Sequence, residues 1–220
     1  MISIHSLSKS FRIPRAHKRS IKGSLFSFFD RKTYQKIEVL KDFNLQVQTG
    51  EFVGIMGSNG SGKSTLLKLI AGVYQPDEGS ISVEGKLATV LELGTGFHPE
   101  LTARENIFIH GLLIGLSQAQ IERRLSHIIH FAGLEQFVNA PLKHFSSGMV
   151  ARLAFSVAMQ VQAEVYLMDE VLAVGDQEFQ AKCLQVFQNL KRQGVTLLFV
   201  SHSEELVRDI CDRVINMDAL

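Results

Sequence analysis

The 220-residue sequence has two cysteines, Cys183 and Cys211, far apart and without C-x-x-C spacing. That excludes a disulfide scaffold and the common thiol redox and metal motifs, and it leaves both residues as small hydrophobes of a reducing compartment. No apolar run approaches the ~18 residues of a membrane span. Met1-Ile2-Ser3-Ile4-His5 lacks the charged-then-apolar pattern of a secretory signal. Repeats, low-complexity tracts and a long coiled-coil insert are also missing, which excludes solenoids and disordered scaffolds. Net charge is +1, so charge alone points to no partner, and a hydrophobic content of 45% is enough for a sizeable core. The length suits one large domain or a domain with a subdomain. The expectation is a soluble, cytoplasmic protein.

The near-neutral total hides an asymmetry. Residues 12–36 carry eight basic residues (Arg12, Arg15, Lys18, Arg19, Lys22, Arg31, Lys32 and Lys36) against one acid, Asp30. The rest of the chain, with 15 basic and 21 acidic residues, is net negative. Within this strap Pro14 and Gly23 break regularity, and Ile21, Leu25, Phe28, Phe29 and Lys32 then recur at helical spacing. Such a helix, aromatic on one face and basic on its flanks, can lie on a membrane surface or dock on a partner. It can equally fold back on its own domain.

The chain is organised around Gly57-Ser58-Asn59-Gly60-Ser61-Gly62-Lys63-Ser64-Thr65, which fits the phosphate-loop pattern G-x-x-x-x-G-K-[ST]. Phe52-Val53-Gly54-Ile55-Met56 before it reads as a buried strand, and Leu66-Leu67-Lys68-Leu69-Ile70 after it reads as a helix. Glycines let the backbone turn its N–H groups onto an anion, and a helix starting near Gly62 adds the positive end of its dipole. Lys63 supplies a point charge for the β- and γ-phosphates, and the Ser64 hydroxyl is placed to ligate Mg²⁺. The motif predicts binding of a nucleoside triphosphate without saying which chemistry follows.

Around the loop, residues 1–11 alternate apolar and polar through Ile2, Ile4 and Leu7 and read as a strand at a sheet edge. Phe11 ends it, either stacked on a base or as an ordinary strand-end aromatic. Ile37-Glu38-Val39-Leu40 and Phe43-Asn44-Leu45-Gln46-Val47 read as two strands, and Ile81, Val83 and residues 87–91 as further strands. Thr102, with Glu105 three residues on, predicts a capped helix start. Helical spacing continues through Ile121, Leu125, Ile128 and Ile129, and again through Val150, Leu153, Ala154, Val157 and Ala158. The region from 94 to 160 is therefore expected to be a helical insert in an α/β chain. Val165-Tyr166-Leu167-Met168 and residues 195–200 read as central strands, with residues 180–193 helical between them.

The first of these strands ends in Asp169-Glu170, at the strand edge where α/β sheets bind ligands. Asp169 can hold Mg²⁺ through its water shell, and Glu170 can polarise an attacking water. The piece that decides among triphosphate chemistries is Phe145-Ser146-Ser147-Gly148-Met149. It resembles the signature motif of ATP-binding-cassette ATPases, usually Leu-Ser-Gly-Gly-Gln. Ala173-Val174-Gly175-Asp176 occupies the place of that family's D-loop. His202 stands where its switch histidine follows the last core strand, and Phe11 matches the aromatic that stacks on adenine. A phosphate-loop kinase or GTPase would leave the Ser146–Gly148 motif unexplained.

The resemblance runs nearly end to end and implies a single cassette over residues 1–220: a RecA-like core (1–93 and 161–220, carrying the basic insert 12–36), an antiparallel β subdomain, and a helical subdomain at about 94–160. It implies ATP and Mg²⁺ as cofactors and a head-to-tail homodimer in which Ser146 and Gly148 reach the γ-phosphate of the other copy, with Ser147 between them in the same binding motif. His202 would help position the water. Three departures narrow the branch. The family's loop glutamine is missing from Val90-Leu91-Glu92-Leu93-Gly94-Thr95-Gly96-Phe97-His98-Pro99, where Glu92 can take part of its role. Ser147 and Met149 alter the signature, and Gly175 alters the D-loop. Together with the long insert after Phe11, these stretches resemble the ATPases of polysaccharide exporters, which move O-antigen, capsule or teichoic-acid chains. The chain ends at Asp218-Ala219-Leu220, short of a further strand and of the carbohydrate-binding domain that some members carry. The implied partners are two copies of an integral membrane permease and, through the complex, a lipid-linked polysaccharide at the cytoplasmic face of the inner membrane. No nucleic acid is expected. The alternative is a non-transport ABC ATPase of cofactor assembly or nucleic-acid maintenance, in which the strap would touch nucleic acid.

Overall fold

The computed structural model describes residues 1–14, 34–91, 94–170 and 176–219. The helix expected across residues 21–32, Glu92 and the stretch Ala173-Val174-Gly175 lie outside the described residues. The centre is a five-stranded parallel sheet in the order β5-β6-β7-β3-β8. Its strands are β3 (Phe52–Met56), β5 (Leu87–Val90), β6 (Val165–Asp169), β7 (Thr196–Val200) and β8 (Arg213–Asn216). Parallel strands need both faces covered, and β3, β6 and β7 are continuous apolar runs buried on both sides.

Side-chain alternation divides this sheet between two cores. Phe52, Tyr166, Met168, Leu197 and Phe199 face one cluster, which takes in α2 (Ala103–Leu113), α3 (Gln118–Ala132), α4 (Ser147–Ala158), α5 (Gln177–Arg192) and α6 (Glu204–Ile210). Val53, Ile55, Val165, Leu167, Leu198 and Val200 face the other, with α1 (Lys63–Ile70) and a three-stranded antiparallel sheet. Phe155 joins the first cluster by ring contacts to Phe131, Phe179 and Phe187, which tie α4 to α3 and α5.

The antiparallel sheet has the order β2-β1-β4, from β1 (Ile2–Pro14), β2 (Tyr34–Val47) and β4 (Glu78–Val83). β1 is its middle strand and not an edge, because Ile2 pairs with Val47 on one side and Val83 on the other. The two strands expected over 37–47 form one strand, bent at Asp42, whose φ is 46°. The capping box at Thr102 forms as its spacing demands. Thr102 Oγ1 accepts from the Glu105 N–H, and the Glu105 carboxylate accepts from the Thr102 N–H. Ser117 and Gln120 build a second box at the start of α3. Among the described residues no helix is long and apolar enough to cross a membrane.

Candidate active site

Strand register assembles the site. Ile55 pairs with Val200, and Asp169 pairs with Val200 from the other side. Three neighbouring strands therefore end at the same level. The phosphate loop leaves β3, Asp169-Glu170 ends β6, and Ser201-His202 follows β7.

The loop backbone is left-handed at Gly60 (φ 88°) and Gly62 (φ 98°). A side chain at Gly62 would also press on Val39 and Leu40 at 3.1–3.2 Å. Gly62 caps α1 without any side-chain hydrogen bond, so the first N–H groups of this helix have no side-chain partner at the cap. The Ser61 hydroxyl is buried without a hydrogen-bond partner. Such orphaned donors at a helix start are what a phosphate would satisfy. Lys63 is buried, and its Nζ donates to the carbonyls of Gly57 and Ser58 at 2.8 Å each. Asn59 and Gly60 are exposed at the loop tip, and Thr65 is half-buried in the first turn of α1.

Asp169 sits beside this loop. Burial pushes its carboxyl above the usual carboxylate value. The Ser64 hydroxyl, donating to it, and the charges of Lys63 and Lys68 oppose that shift, while the Glu170 charge adds to it. A hydroxyl and a carboxylate are hard oxygen donors that fit Mg²⁺. No cluster of three or more His, Cys, Asp or Glu able to hold a metal exists among the described residues. A cation here would therefore take most of its ligands from phosphate and water.

Glu170 adopts φ 52°, a rare backbone conformation for a residue with a side chain. Its N–H donates to the Val200 carbonyl at 2.9 Å, which turns the carboxylate across the end of β7. There Glu170 Oε1 lies 2.7 Å from His202 Nε2, with both side chains about half exposed. Ser201 supports the turn by accepting the Ser203 N–H at 3.1 Å.

Phe11 stands on β1, half-buried, with its ring edge-on to Tyr74 at 5.4 Å and Lys9 Nζ 5.6 Å from its centre. Asp77 fixes this corner. Its carboxylate accepts from the Lys9 ammonium, the Ser10 N–H and the Ser10 hydroxyl. Those bonds, the Ser10 hydroxyl first, hold it well below the usual carboxylate range. Tyr74 and Asp77 carry no motif and are found only through the pairing of β1 with β4.

The remaining expected residues lie on other elements. Ser146 is exposed and caps α4, its Oγ accepting the Met149 N–H at 3.2 Å. Ser147 and Gly148 form the first turn of α4. Asp176 caps α5 by accepting the Phe179 N–H at 2.9 Å, and its carboxylate lies 3.6 Å from Arg152 of α4. Among the described residues, no hydrogen bond or ion pair joins Ser146, Ser147, Gly148 or Asp176 to the phosphate loop. One chain thus assembles Lys63, Ser64, Asp169, Glu170 and His202, and holds the α4 and α5 caps apart from them.

Similarity to known proteins agrees with this geometry. The sequence pattern of the ABC transporter family matches residues 40–173. The chain is 45% identical over 218 residues to the ABC transporter protein AbcA of Aeromonas salmonicida, covering 99% of this chain and 70% of that protein. It is 49% identical over 181 residues to the O-antigen export system ATP-binding protein RfbB of Klebsiella pneumoniae, covering 82% of this chain and 74% of the relative. The dimeric structure of MJ0796, a bacterial ABC transporter cassette, matches with a TM-score of 0.76 at 25% identity, over 98% of this chain and 94% of that one. With the family pattern spanning more than half of the chain and a relative matched along nearly all of it, this chain belongs to the ABC transporter family.

Proposed function

We propose that this protein is the ATP-hydrolysing subunit of an exporter for a lipid-linked polysaccharide. The observation that carries the catalytic half of this reading is the shared edge of β3, β6 and β7, where Lys63, Asp169, Glu170 and His202 meet. Lys63 and the N–H groups at the start of α1 bind the β- and γ-phosphates. Ser64 and Asp169 hold Mg²⁺, which neutralises charge on the phosphates. Glu170 orients and polarises the attacking water, and His202, already 2.7 Å from it, keeps the carboxylate aimed and can reach the γ-phosphate. Phe11 stacks on the adenine.

The division at about residues 94 and 160 separates the core that binds nucleotide from a helical subdomain that presents Ser146, Ser147 and Gly148. Two copies then face head to tail, and the α4 N-terminus of one closes over the triphosphate of the other. Asp176 lies at the same interface. The dimeric neighbour structure and the exposure of Ser146 and Ser147 support this arrangement.

The export half rests on the similarity to the O-antigen export ATP-binding protein and on the surface of α2. Leu112 and Leu113 are exposed there, beside a groove lined by Val90, Leu91, His110 and Val161. A membrane permease, present in two copies, docks on that face and places the cassettes at the inner face of the cytoplasmic membrane. Tagged protein recovered from detergent-solubilised membranes tests this. A polytopic partner at about one-to-one, with Mg²⁺-dependent ATP turnover, is the expected result. Turnover without any membrane partner would leave the ATPase standing and remove the exporter.

A further inference from the structure

Strands β3 and β8 run parallel, with Met56 opposite Asn216. Two residues beyond that pair, the loop residue Ser58 meets Asp218, which sits in a single 3-10 turn (Met217–Ala219) after β8. The Asp218 carboxylate accepts both donors of Ser58, the N–H at 2.7 Å and the hydroxyl at 2.7 Å. The hydroxyl bond first, then the N–H bond, keep this carboxyl below its usual range. Asp218 is itself held, because its N–H donates to Asn216 Oδ1 at 3.0 Å. From the other side, the buried Lys63 ammonium donates to the Gly57 and Ser58 carbonyls. The peptide around Ser58 is therefore gripped at its N–H by a carboxylate from the turn after β8 and at its carbonyls by the lysine that must serve a phosphate.

We propose that Asp218 is a positioning residue for nucleotide binding, with Ser58 as the tether through which it acts and not as a phosphate donor. This rests on the reading of residues 57–65 as the triphosphate site. When a γ-phosphate arrives, Lys63 turns toward it. An untethered loop start would follow the ammonium or close on it, and reopening it would cost binding energy each time. Fixing Ser58 from β8 leaves the two carbonyls in place, so the lysine moves alone. The gain is preorganisation, which shows in ground-state affinity before it shows in turnover.

The test uses the full chain with Asp218→Ala, Asp218→Asn, Ser58→Ala and the Ser58→Ala/Asp218→Ala double variant. ATP with Mg²⁺ is the ligand, and KM, kcat and melting temperature are measured. Asp218→Ala should raise KM about 3–10-fold while kcat stays within about two-fold, as expected for losing charge-assisted bonds that act before chemistry. Asparagine, whose single oxygen can still accept one of the two Ser58 donors, should recover part of the affinity. The double variant should bind like Asp218→Ala alone, because the hydroxyl acts only through the carboxylate. Unchanged or tighter ATP binding in Asp218→Ala overturns the proposal, since the carboxylate would then be inert or would merely repel phosphate. A loss that asparagine does not relieve, or one that tracks melting temperature, overturns it in favour of a structural role. If instead Lys63→Ala binds ATP as well as the parent does, the phosphate-loop reading itself falls, and that failure is distinct from the first.

Discussion

The C-terminal edge of the parallel sheet and the N-terminus of α4 both hold residues that the proposed function assigns to a triphosphate, and they are built differently. At the sheet edge each group is placed by another element: Asp169 by its bond from Ser64, Glu170 by the Val200 carbonyl and His202, and Lys63 by the carbonyls of the loop. Burial surrounds this edge on both faces of the strands. At α4, Ser146 and Ser147 are exposed, and the hydrogen bonds of Ser146 stay within its own helix. On the proposed reading, the preformed cluster and the open helix start are the two halves of an anion site that one chain does not close. If that reading holds, one chain can bind nucleotide alone and yet need a second surface for turnover.

The largest expected effect strikes the sheet edge. Glu170→Gln keeps the size of the side chain and its reach to His202 but removes the proposed base. Turnover should fall by ~10²–10⁴ while ATP binding persists. Steady-state hydrolysis beside an equilibrium binding measurement separates the two, and undiminished turnover would remove Glu170 from the chemistry. A smaller effect should come from Ser146→Asp. Aspartate is as good a helix cap as serine, so the melting temperature should stay within ~1 °C. Its charge, however, faces any phosphate brought to the α4 N-terminus, so turnover should fall about 10–100-fold with nucleotide affinity of the isolated chain unchanged. Parental turnover in this variant would break the comparison, because α4 would then have no part in closing the site.

The two regions also differ in how far residues alone disclose them. The loop, β3 and α1 are legible because an apolar run, three glycines and a lysine obey one local rule, and the Thr102 cap is legible because its four-residue pattern is local too. What local pattern does not contain is partnership. Ile2, Ile4 and Leu7 disclose a buried face, but β1 is a middle strand because β2 and β4, distant in sequence, both pair with it. The break at Asp42 reads as a turn between two strands, while the backbone absorbs it by one left-handed residue within a single strand. Asp218 reaches Ser58 across 160 positions through β8, a short strand with a mostly exposed pattern that carries little periodic signal. Tyr74 reaches Phe11 only through the folding of β4 against β1. The residues with motifs are those whose chemistry depends on neighbours in sequence, and the supporting residues depend on topology.

The smallest expected effect tests whether the sheet edge is strained for its task. Asp169 is raised above the ordinary carboxylate value by burial and by the charge of Glu170, so the folded protein disfavours its ionised form. The sign follows from linkage. A raised carboxyl adds stability in full below its unfolded value, and that stability is lost as pH rises through the folded value. At neutral pH the ionised Asp169 therefore costs stability, and Asp169→Asn, which mimics the protonated form and still accepts from Ser64, should melt about 1–3 °C higher without ligand. The difference should shrink as pH falls through the raised folded value and be nearly gone by about pH 4, where the parent carboxyl protonates in both states. With ATP and Mg²⁺ added the order should reverse, because ligand stabilises only the chain that binds the pair tightly. Thermal melts of both proteins at pH 7 and pH 4, with and without nucleotide, give all four comparisons. A variant that melts lower at pH 7 without ligand would mean that Asp169 holds the fold together, and the sheet edge would then be as much a structural joint as the helix caps it is set against.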